Sequence, residues 1–292
     1  MTAELNERQQ QIERLGQLAV QALMMEVTVN PKPGLVDPVN QGPHPDMDVF
    51  TFITSAMSLQ SYFNQAARLG SQAGLQAGPT LFGQLRAIGK KAETSMFTAT
   101  HGVNTHKGAI FSLGIIVTAA GATIDVDSNL RSNQIFDIAK QMLTGVLKSD
   151  FTNLSHRDPE SLTAGERQFL KYGKTGIRGE ATAGFPTVRE LALPFLRQTT
   201  GTTMDRLLDT LIKIAGETSD SNLIKRAGTP AITQWMKEQS RQYFARGGSK
   251  TTAGQAFLHD LNQVFLERGL SLGGSADLLI LTIYFGLLED LF

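Results

Sequence analysis

Residues 50–63 read FTFITSAMSLQSYF, and this stretch decides the fold class. Phe50, Ile53 and Met57 form one apolar stripe at steps of three and four. A second stripe consists of Phe52, Ala56, Leu59 and Phe63. This spacing is that of an α-helix, because side chains on a strand alternate every two residues. We expect a helix that is apolar on two faces to be buried between neighbouring helices.

The same three-and-four spacing recurs on both sides of that stretch. It predicts helices over residues 12–25, 81–96, 109–120, 135–146, 207–214, 257–265 and 278–288. A β-like alternation is confined to residues 123–126, and the polar stretch Lys148 to Asp158 is expected to be a loop rather than a domain linker. We therefore predict an all-α protein. It would form a single multi-helix domain over residues 1–292, with polar, glycine-rich active-site loops between the helices.

Composition and charge narrow the possible functions. The 292 residues include 27 Lys and Arg against 27 Asp and Glu, so the formal net charge is zero. That balance argues against a general nucleic-acid binder and against a polybasic membrane adaptor. Cysteine is absent, so any metal must be bound by oxygen or histidine ligands. The first residues lack the apolar core of a signal peptide, and residues 276–291 are too few for a membrane span, so we expect a soluble, cytoplasmic protein.

The first polar segment that could support chemistry covers residues 26–48. Four prolines stiffen it, so its polar side chains are expected to be presented in fixed positions. Lys32 is suited to a phosphate, while Asp37, Asp46 and Asp48 could bind a hard cation such as Mg²⁺. Asp46 or Asp48 could equally well cap the helix that follows.

A second segment, residues 99–108, reads ATHGVNTHKG and leads into an apolar helix. Asn104 or Thr105 can serve as the N-cap, so that free backbone N–H groups face a bound anion. Lys107 in the first turn opposes the helix dipole, and a phosphate would compensate for it. His101 and His106 could be metal ligands, although a lone pair of histidines is more often structural or substrate-bonding.

Residues 173–181, GKTGIRGEA, contain a Gly-Lys-Thr triplet like the end of a phosphate-binding P-loop. Position 168 is Gln rather than Gly and no strand precedes the segment, so the P-loop interpretation fails. What remains is a flexible glycine-rich loop that presents Arg178 and Glu180. Arg178 is suited to a bidentate phosphate contact.

Two acidic segments complete the set. Glu217 and Asp220 are three residues apart, on one helix face, and could hold Mg²⁺ with help from Asn222. Simple helix capping explains those residues equally well. Ser275 as N-cap and Asp277 in the first turn follow ordinary helix rules, which favours a structural role for both. Together the five segments suggest Mg²⁺-assisted handling of a polyphosphate, without identifying the reaction.

Six strings in collinear order carry a family resemblance. They are residues 31–37 (PKPGLVD), His44 with 46–48 (DMD), 102–108 (GVNTHKG), 176–181 (GIRGEA), Asp220 with Asn222 and Arg226, and 273–279 (GGSADLL). These strings resemble the triphosphoribosyl-dephospho-CoA synthase family, which serves citrate lyase and, in a sister branch, malonate decarboxylase. The resemblance extends from about residue 26 to about residue 290. The chain departs from the family pattern at His101, Ala227 and Leu272, but no departure removes an ionisable group.

The resemblance implies an all-helical, cytoplasmic transferase. It would join the ribosyl triphosphate of ATP to the 2′-hydroxyl of dephospho-CoA and release adenine. The product would be the precursor of a prosthetic group on an acyl carrier subunit of citrate lyase or malonate decarboxylase. Implied partners are the two substrates, the downstream acyl carrier protein and its transferase, and a second copy of the chain as a homodimer. No nucleic-acid or membrane partner is expected.

The chemistry of that reaction sorts the candidate residues into three groups, with Mg²⁺ as the expected cofactor and ATP as a substrate. The candidate catalytic residues are Asp37, Asp46, Asp48, Glu180 and Glu217. The candidate substrate-binding residues are Lys32, Gly34, His44, Asn104, Thr105, His106, Lys107, Arg178, Asn222, Arg226 and Ser275. The candidate metal ligands are Asp46, Asp48, Glu217, Asp220 and Asp277.

Two other functions fit the same residues. One is an Mg²⁺-dependent phosphotransferase or nucleotide hydrolase that breaks a phosphoanhydride. The other is a non-catalytic protein that binds a CoA-like nucleotide. Release of adenine from ATP distinguishes the transferase from both.

Overall fold

The computed structural model describes residues 2–126, 128–146, 169–173 and 175–292. Its α-helices are α1 (Thr2–Thr28), α2 (Val49–Ser58), α3 (Gln60–Ala73), α4 (Pro79–Ala99), α5 (Lys107–Ala122), α6 (Ser128–Met142), α7 (Gly176–Ala183), α8 (Leu193–Gln198), α9 (Thr203–Glu217), α10 (Ser221–Ala227), α11 (Ile232–Ala245), α12 (Thr252–Glu267) and α13 (Gly273–Leu288). A π-helical stretch, Thr187–Ala192, runs directly into α8. Short 3-10 turns are Gly74–Gln76 and Gly248–Lys250.

The prediction of an all-α fold is confirmed, since none of the described residues forms a strand. The single-domain boundary stays a prediction. The expected loop from Lys148 to Asp158 lies outside the described residues. None of the described helices combines the length and apolar character needed to cross a membrane.

Two helices form the centre of the hydrophobic core. Almost every residue of α5 is buried, and so is nearly all of α13 from Leu278 onward. A helix that is apolar on every face must be enclosed by other helices. Accordingly, α5 packs against α3, α4 and α6, while α13 packs against α1, α5 and α9. The first turns of both central helices remain at the edge of this core.

The contact between α3 and α5 depends on two glycines. A Cβ atom on Gly70 would lie 1.8 Å from the carbonyl oxygen of Thr118, and one on Gly121 would lie 2.1 Å from that of Ala67. Both distances are far below van der Waals contact, so any larger residue would force the helices apart. Glycine therefore sets the close approach of α3 to the central helix.

The structure corrects the prediction made from residues 50–63. The helix is interrupted at Leu59, which ends α2 and precedes α3. Phe50 is 71% exposed and Met57 58% exposed, so their stripe is not buried. The second stripe does enter the core through its last three members, whereas Phe52 is only half-buried. The reason is that α2 lies at the surface, where its neighbours α1, α3 and α4 leave part of it uncovered.

Three local predictions were also wrong. Residues 123–126 form turns, with Val126 N–H donating to the Thr123 carbonyl at 3.0 Å, rather than a strand. Helix α5 begins at Lys107 after His106, so neither Asn104 nor Thr105 is its N-cap. Helix α13 begins at Gly273, which places Ser275 inside the first turn rather than at the cap. The core contacts of both helices set these starting points, which local capping preferences alone do not determine.

Candidate active site

A cavity of about 380 Å³ lies at the edge of the core, where α1 ends and α5, α10 and α13 come together. Nine of the residues predicted from the sequence line it: Lys32, His44, Asn104, Thr105, His106, Lys107, Asn222, Arg226 and Asp277. Its volume falls in the usual range of small-molecule sites, about 300–1,000 Å³. The tertiary structure thus unites residues from four separate polar segments.

The floor of the cavity contains a buried ion pair that the sequence analysis missed. The Lys32 ammonium donates to the Glu26 carboxylate at 2.5 Å and to the Glu26 carbonyl at 2.7 Å. Both side chains are almost completely buried. The sequence had predicted that Lys32 presents a free cation to a phosphate. Instead, its ammonium group is paired with Glu26. The sequence feature that could have identified Glu26 is its position, as a lone carboxylate in the last turn of an otherwise apolar helix face.

Asp37 and Gly34 shape the loop beside this ion pair. The Asp37 carboxylate accepts hydrogen bonds from the backbone N–H groups of Lys32, Val39 and Asn40. Gly34 adopts a φ of 68°, and a Cβ there would lie 2.5 Å from the Leu270 carbonyl oxygen. Both residues hold the loop against the core, and neither lines the cavity.

His106 presents an uncharged imidazole. Its Nδ1 lies 2.7 Å from the Ser55 hydroxyl, which in turn accepts from Thr105 at 2.6 Å. The Nε2 atom is buried and has no hydrogen-bond partner in the described part of the chain. Burial, reinforced by the charge of Lys32, lowers the pKa of His106 to about 3. His106 can therefore recognise a ligand through a hydrogen bond but does not supply a proton near neutral pH.

The rim of the cavity is cationic. Arg226 and Lys225 are exposed on α10, and Lys107 stands at the start of α5, where it pairs with Glu93 at 3.1 Å. The Arg226 guanidinium donates to Nδ1 of His44 at 3.3 Å. Clustered cations of this kind match the negative charge of a polyphosphate.

The hydrogen bond from Arg226 determines which ring nitrogen of His44 carries the proton. Because Nδ1 accepts from Arg226, the ring proton lies on Nε2, 3.2 Å from the Ser271 hydroxyl. Burial, followed by the charge of Arg226, lowers the pKa of His44. His44 thus holds Arg226 at the rim as a neutral side chain. Ser271 was not predicted from the sequence.

Asp220 connects two helices and has no free oxygen. One carboxylate oxygen accepts from the N–H groups of Asn222, Leu223 and Gly274. The other accepts from the N–H and the hydroxyl of Ser275, at 2.7 and 2.8 Å. Burial raises the pKa of Asp220, and these hydrogen bonds act against that rise. Asp220 thus caps α10 and links it to the first turn of α13, where Ser275 is its partner. We refer to this contact between α10 and α13, made by Asp220 and Ser275, as the joint.

Asp277 differs from the other carboxylates around the cavity. Among the described residues it forms no hydrogen bond, and it lies against the start of α5, where a Cβ on Gly108 would come within 2.1 Å of its oxygen. Burial, together with the charges of Asp220 and Glu26, raises the pKa of Asp277 to about 8. The group is therefore a carboxylic acid that can give up a proton near neutral pH.

The remaining predicted residues lie elsewhere. Asp48 caps α2 in a capping box with Thr51, whose hydrogen bonds lower the pKa of Asp48. Asp46 is exposed, and Glu217 forms ion pairs with Lys213 and Lys237. Since these carboxylates are dispersed, no three of the described acidic or histidine side chains are arranged to hold a metal ion.

Arg178 and Glu180 belong to α7, next to a second cavity of about 210 Å³. The Glu180 carboxylate accepts from the hydroxyl and the backbone N–H of Thr187, at 2.7 and 3.2 Å. Glu180 and Asp220 both line this second cavity, whereas Arg178 does not.

An all-helical chain with a cationic rim around a protonated carboxyl has the features of an enzyme that acts on a nucleotide polyphosphate. Comparison with known sequences gives the family. The chain belongs to the CitG family, described as ATP:dephospho-CoA triphosphoribosyl transferase, whose model matches residues 12–292. The resemblance seen in the sequence motifs is thereby confirmed. The protein is a transferase that moves the triphosphoribosyl group of ATP to dephospho-CoA.

Several curated relatives cover most of the chain. A probable 2-(5''-triphosphoribosyl)-3'-dephosphocoenzyme-A synthase of Lactiplantibacillus plantarum is 54% identical over 94% of this chain and 96% of its own length. Protein CitXG of Leuconostoc mesenteroides subsp. cremoris is 51% identical over 91% of this chain but only 57% of its own length. A relative from Vibrio cholerae with the same name as the first is 39% identical over 92% of this chain and 86% of its own. No solved structure matches the chain.

One departure from the family pattern has a structural explanation. His101 has a φ of 53°, and the N–H of Gly102 donates to the Phe97 carbonyl at 2.8 Å. This is the Schellman arrangement that ends α4, in which the position of His101 normally favours glycine. His101 therefore adopts the left-handed conformation at the end of α4 without a glycine.

Proposed function

We propose that the 380 Å³ cavity is where the triphosphoribosyl group is transferred. The observation that supports this assignment most directly is the combination of a cationic rim with the protonated carboxyl of Asp277. The reaction needs both features, because it must hold three linked phosphates and protonate a departing base. The phosphotransferase alternative uses the cations but leaves the acid without a role.

The triphosphate would be bound by Lys107, Lys225 and Arg226. All three line the cavity near helix ends, and His44 orients the guanidinium of Arg226. Lys32 would contribute indirectly, because its ion pair with Glu26 keeps the floor close to neutral. Mg²⁺ would enter with ATP, bound by phosphate oxygens and water.

Asp277 would act as the general acid. The bond between C1′ of the ribose and adenine breaks with its electron pair going to adenine, which takes the proton of the Asp277 carboxyl. The 2′-hydroxyl oxygen of dephospho-CoA forms the new bond to C1′ and loses its proton to water. Asp277 then regains a proton from solvent before the next turnover. The neutral His106 would hydrogen-bond a substrate from the neighbouring wall.

Product analysis tests the proposed reaction. Wild-type protein is incubated with ATP, Mg²⁺ and dephospho-CoA, and the products are separated by chromatography. We expect free adenine and a nucleotide product that retains all three phosphates, with no adenine when dephospho-CoA is omitted. Mature CoA should be a poor acceptor, because its 3′-phosphate adds bulk and charge beside the reacting hydroxyl. ADP or inorganic phosphate in place of adenine would support the phosphotransferase instead.

The product would serve as the precursor of the citrate lyase prosthetic group, with malonate decarboxylase as the alternative client. The downstream partners would then be an acyl carrier protein and the transferase that loads it. A cytoplasmic location fits the supply of ATP and dephospho-CoA. The homodimer stays a prediction.

A further inference from the structure

The second cavity adjoins the first across the joint between α10 and α13. Asn222 and Gly273 line the first cavity, while the adjacent residues Ser221 and Gly274 line the second. A Cβ on Gly273 would lie 2.4 Å from the Asn222 side chain, so the two first turns are in close contact. A thin wall of two helix ends therefore separates the cavities.

Among the described residues, the lining of the second cavity contains no cation and two carboxylates. Its two carboxylates are already engaged, Glu180 by Thr187 and Asp220 by the joint itself. The rest of the lining consists of hydroxyl-bearing, glycine and apolar residues, among them Thr218, Ile177 and Leu278. This surface contrasts with the cationic rim next to it. It suits an uncharged ligand that has both amide groups and alkyl segments.

We propose that the second cavity binds the pantetheine arm of dephospho-CoA while the nucleotide end of the same molecule reacts in the first. This inference rests on the proposed function. Dephospho-CoA has a charged nucleotide half and a neutral half with two amides, and the two cavities match these halves. Hydroxyl and backbone groups hydrogen-bond the amides, and Ile177 and Leu278 pack against the alkyl carbons. Binding in both places sets the 2′-hydroxyl at the reacting carbon.

Ala183→Phe tests the assignment by filling the second cavity. Ala183 lines it from the last turn of α7 and is exposed, so the larger ring can be placed without disturbing the core. Thr182→Phe is the matched control, since Thr182 is exposed on the same helix but does not line the cavity. The ligands compared are dephospho-CoA and the methyl ester of ADP, which keeps the 2′-hydroxyl and the diphosphate but has no arm.

In Ala183→Phe we expect the KM for dephospho-CoA to rise by about tenfold or more, the scale of one lost subsite contact. The KM for ATP and the inhibition constant of the ADP ester should not change, and Thr182→Phe should resemble wild type. An unchanged KM for dephospho-CoA would overturn the inference, and so would an equal loss for both ligands. Circular dichroism monitors folding, and Ala183→Leu replaces the phenylalanine variant if it misfolds.

A binding measurement separates this inference from the proposed reaction. Calorimetry with 4′-phosphopantetheine, which needs no catalysis, should show binding to wild type and at least tenfold weaker binding to Ala183→Phe. This difference in binding would support the arm site even if wild-type protein released no adenine. The lack of adenine would then overturn the proposed reaction but not the arm site. Equal binding to both proteins would overturn the arm site alone.

Discussion

At the scale of single residues, three ionisable side chains around the cavity have charges set by their surroundings. Burial keeps His106 and His44 neutral by lowering their pKa values. Burial and two neighbouring carboxylates act in the opposite sense on Asp277, whose pKa rises to about 8. Only Asp277 among these three is therefore poised to donate a proton at neutral pH.

Asp277→Asn should abolish turnover without loss of fold. A carboxyl whose pKa is raised by folding stabilises the folded protein at pH values below the ordinary carboxyl pKa. For Asp277 this stabilisation is lost as pH rises through about 8. Asparagine removes the ionisation, so the unfolding midpoint of the variant should equal or exceed that of wild type at pH about 8. Adenine release and thermal unfolding are the two measurements.

The pH profile of the wild type provides the control. Turnover should fall as pH rises through about 8, because Asp277 loses the proton that it donates. The groups facing it are Glu26 on α1, Lys107 on α5, and Asp220, Lys225 and Arg226 around α10. Wild-type turnover in Asp277→Asn would remove this residue from the mechanism.

At the scale of elements, Asp220 determines how α10 and α13 meet. It accepts from the N–H groups of two residues in each helix, and the two cavities lie on either side of that joint. One buried carboxylate therefore sets the geometry of both proposed subsites.

Asp220→Ala should lower the free energy of unfolding by about 3–5 kcal/mol. The change leaves four backbone N–H groups without their acceptor, and each buried unsatisfied group costs about 1–3 kcal/mol before relaxation. Asp48→Ala, which removes an N-cap at the surface of α2, should cost only about 1 kcal/mol. Urea denaturation of both variants measures the difference. Equal losses would mean that Asp220 acts as an ordinary cap.

At the scale of the whole molecule, stability depends on pH through buried groups. The folded pKa of His106 is about 3, so the unfolded chain takes up a proton below about pH 6.5 that the folded chain does not. The contribution of His106 to the free energy of unfolding should therefore fall with decreasing pH, by at most about 1.4 kcal/mol per unit. Between about pH 6.5 and pH 5 most carboxylates do not titrate, but Asp277 contributes a slope of the opposite sign, because it is protonated in the folded chain and ionised in the unfolded one.

His106→Gln should remove the His106 contribution to the slope in that window, because glutamine keeps a hydrogen bond to Ser55 but takes up no proton. As pH decreases, the variant should therefore gain stability relative to wild type, by up to about 1.4 kcal/mol per unit. His259→Gln is the matched control, since His259 is exposed on α12. It should leave the slope of wild type unchanged. Urea denaturation at several pH values gives the slopes, and parallel curves for all three proteins would contradict the buried neutral state of His106.

The sequence alone determined the all-helical class, because three-and-four periodicity is a local property of the chain. The family motifs also pointed to the reaction and to nine residues of the cavity lining. Only the tertiary structure decided the state of each polar group. Asp220 and Ser275 are 55 positions apart in the chain and yet share hydrogen bonds, whereas Asp277, two residues further on, forms none with the residues that the structure describes. Local spacing cannot distinguish these cases, since hydrogen-bond partners and burial arise from segments that meet only in the folded protein.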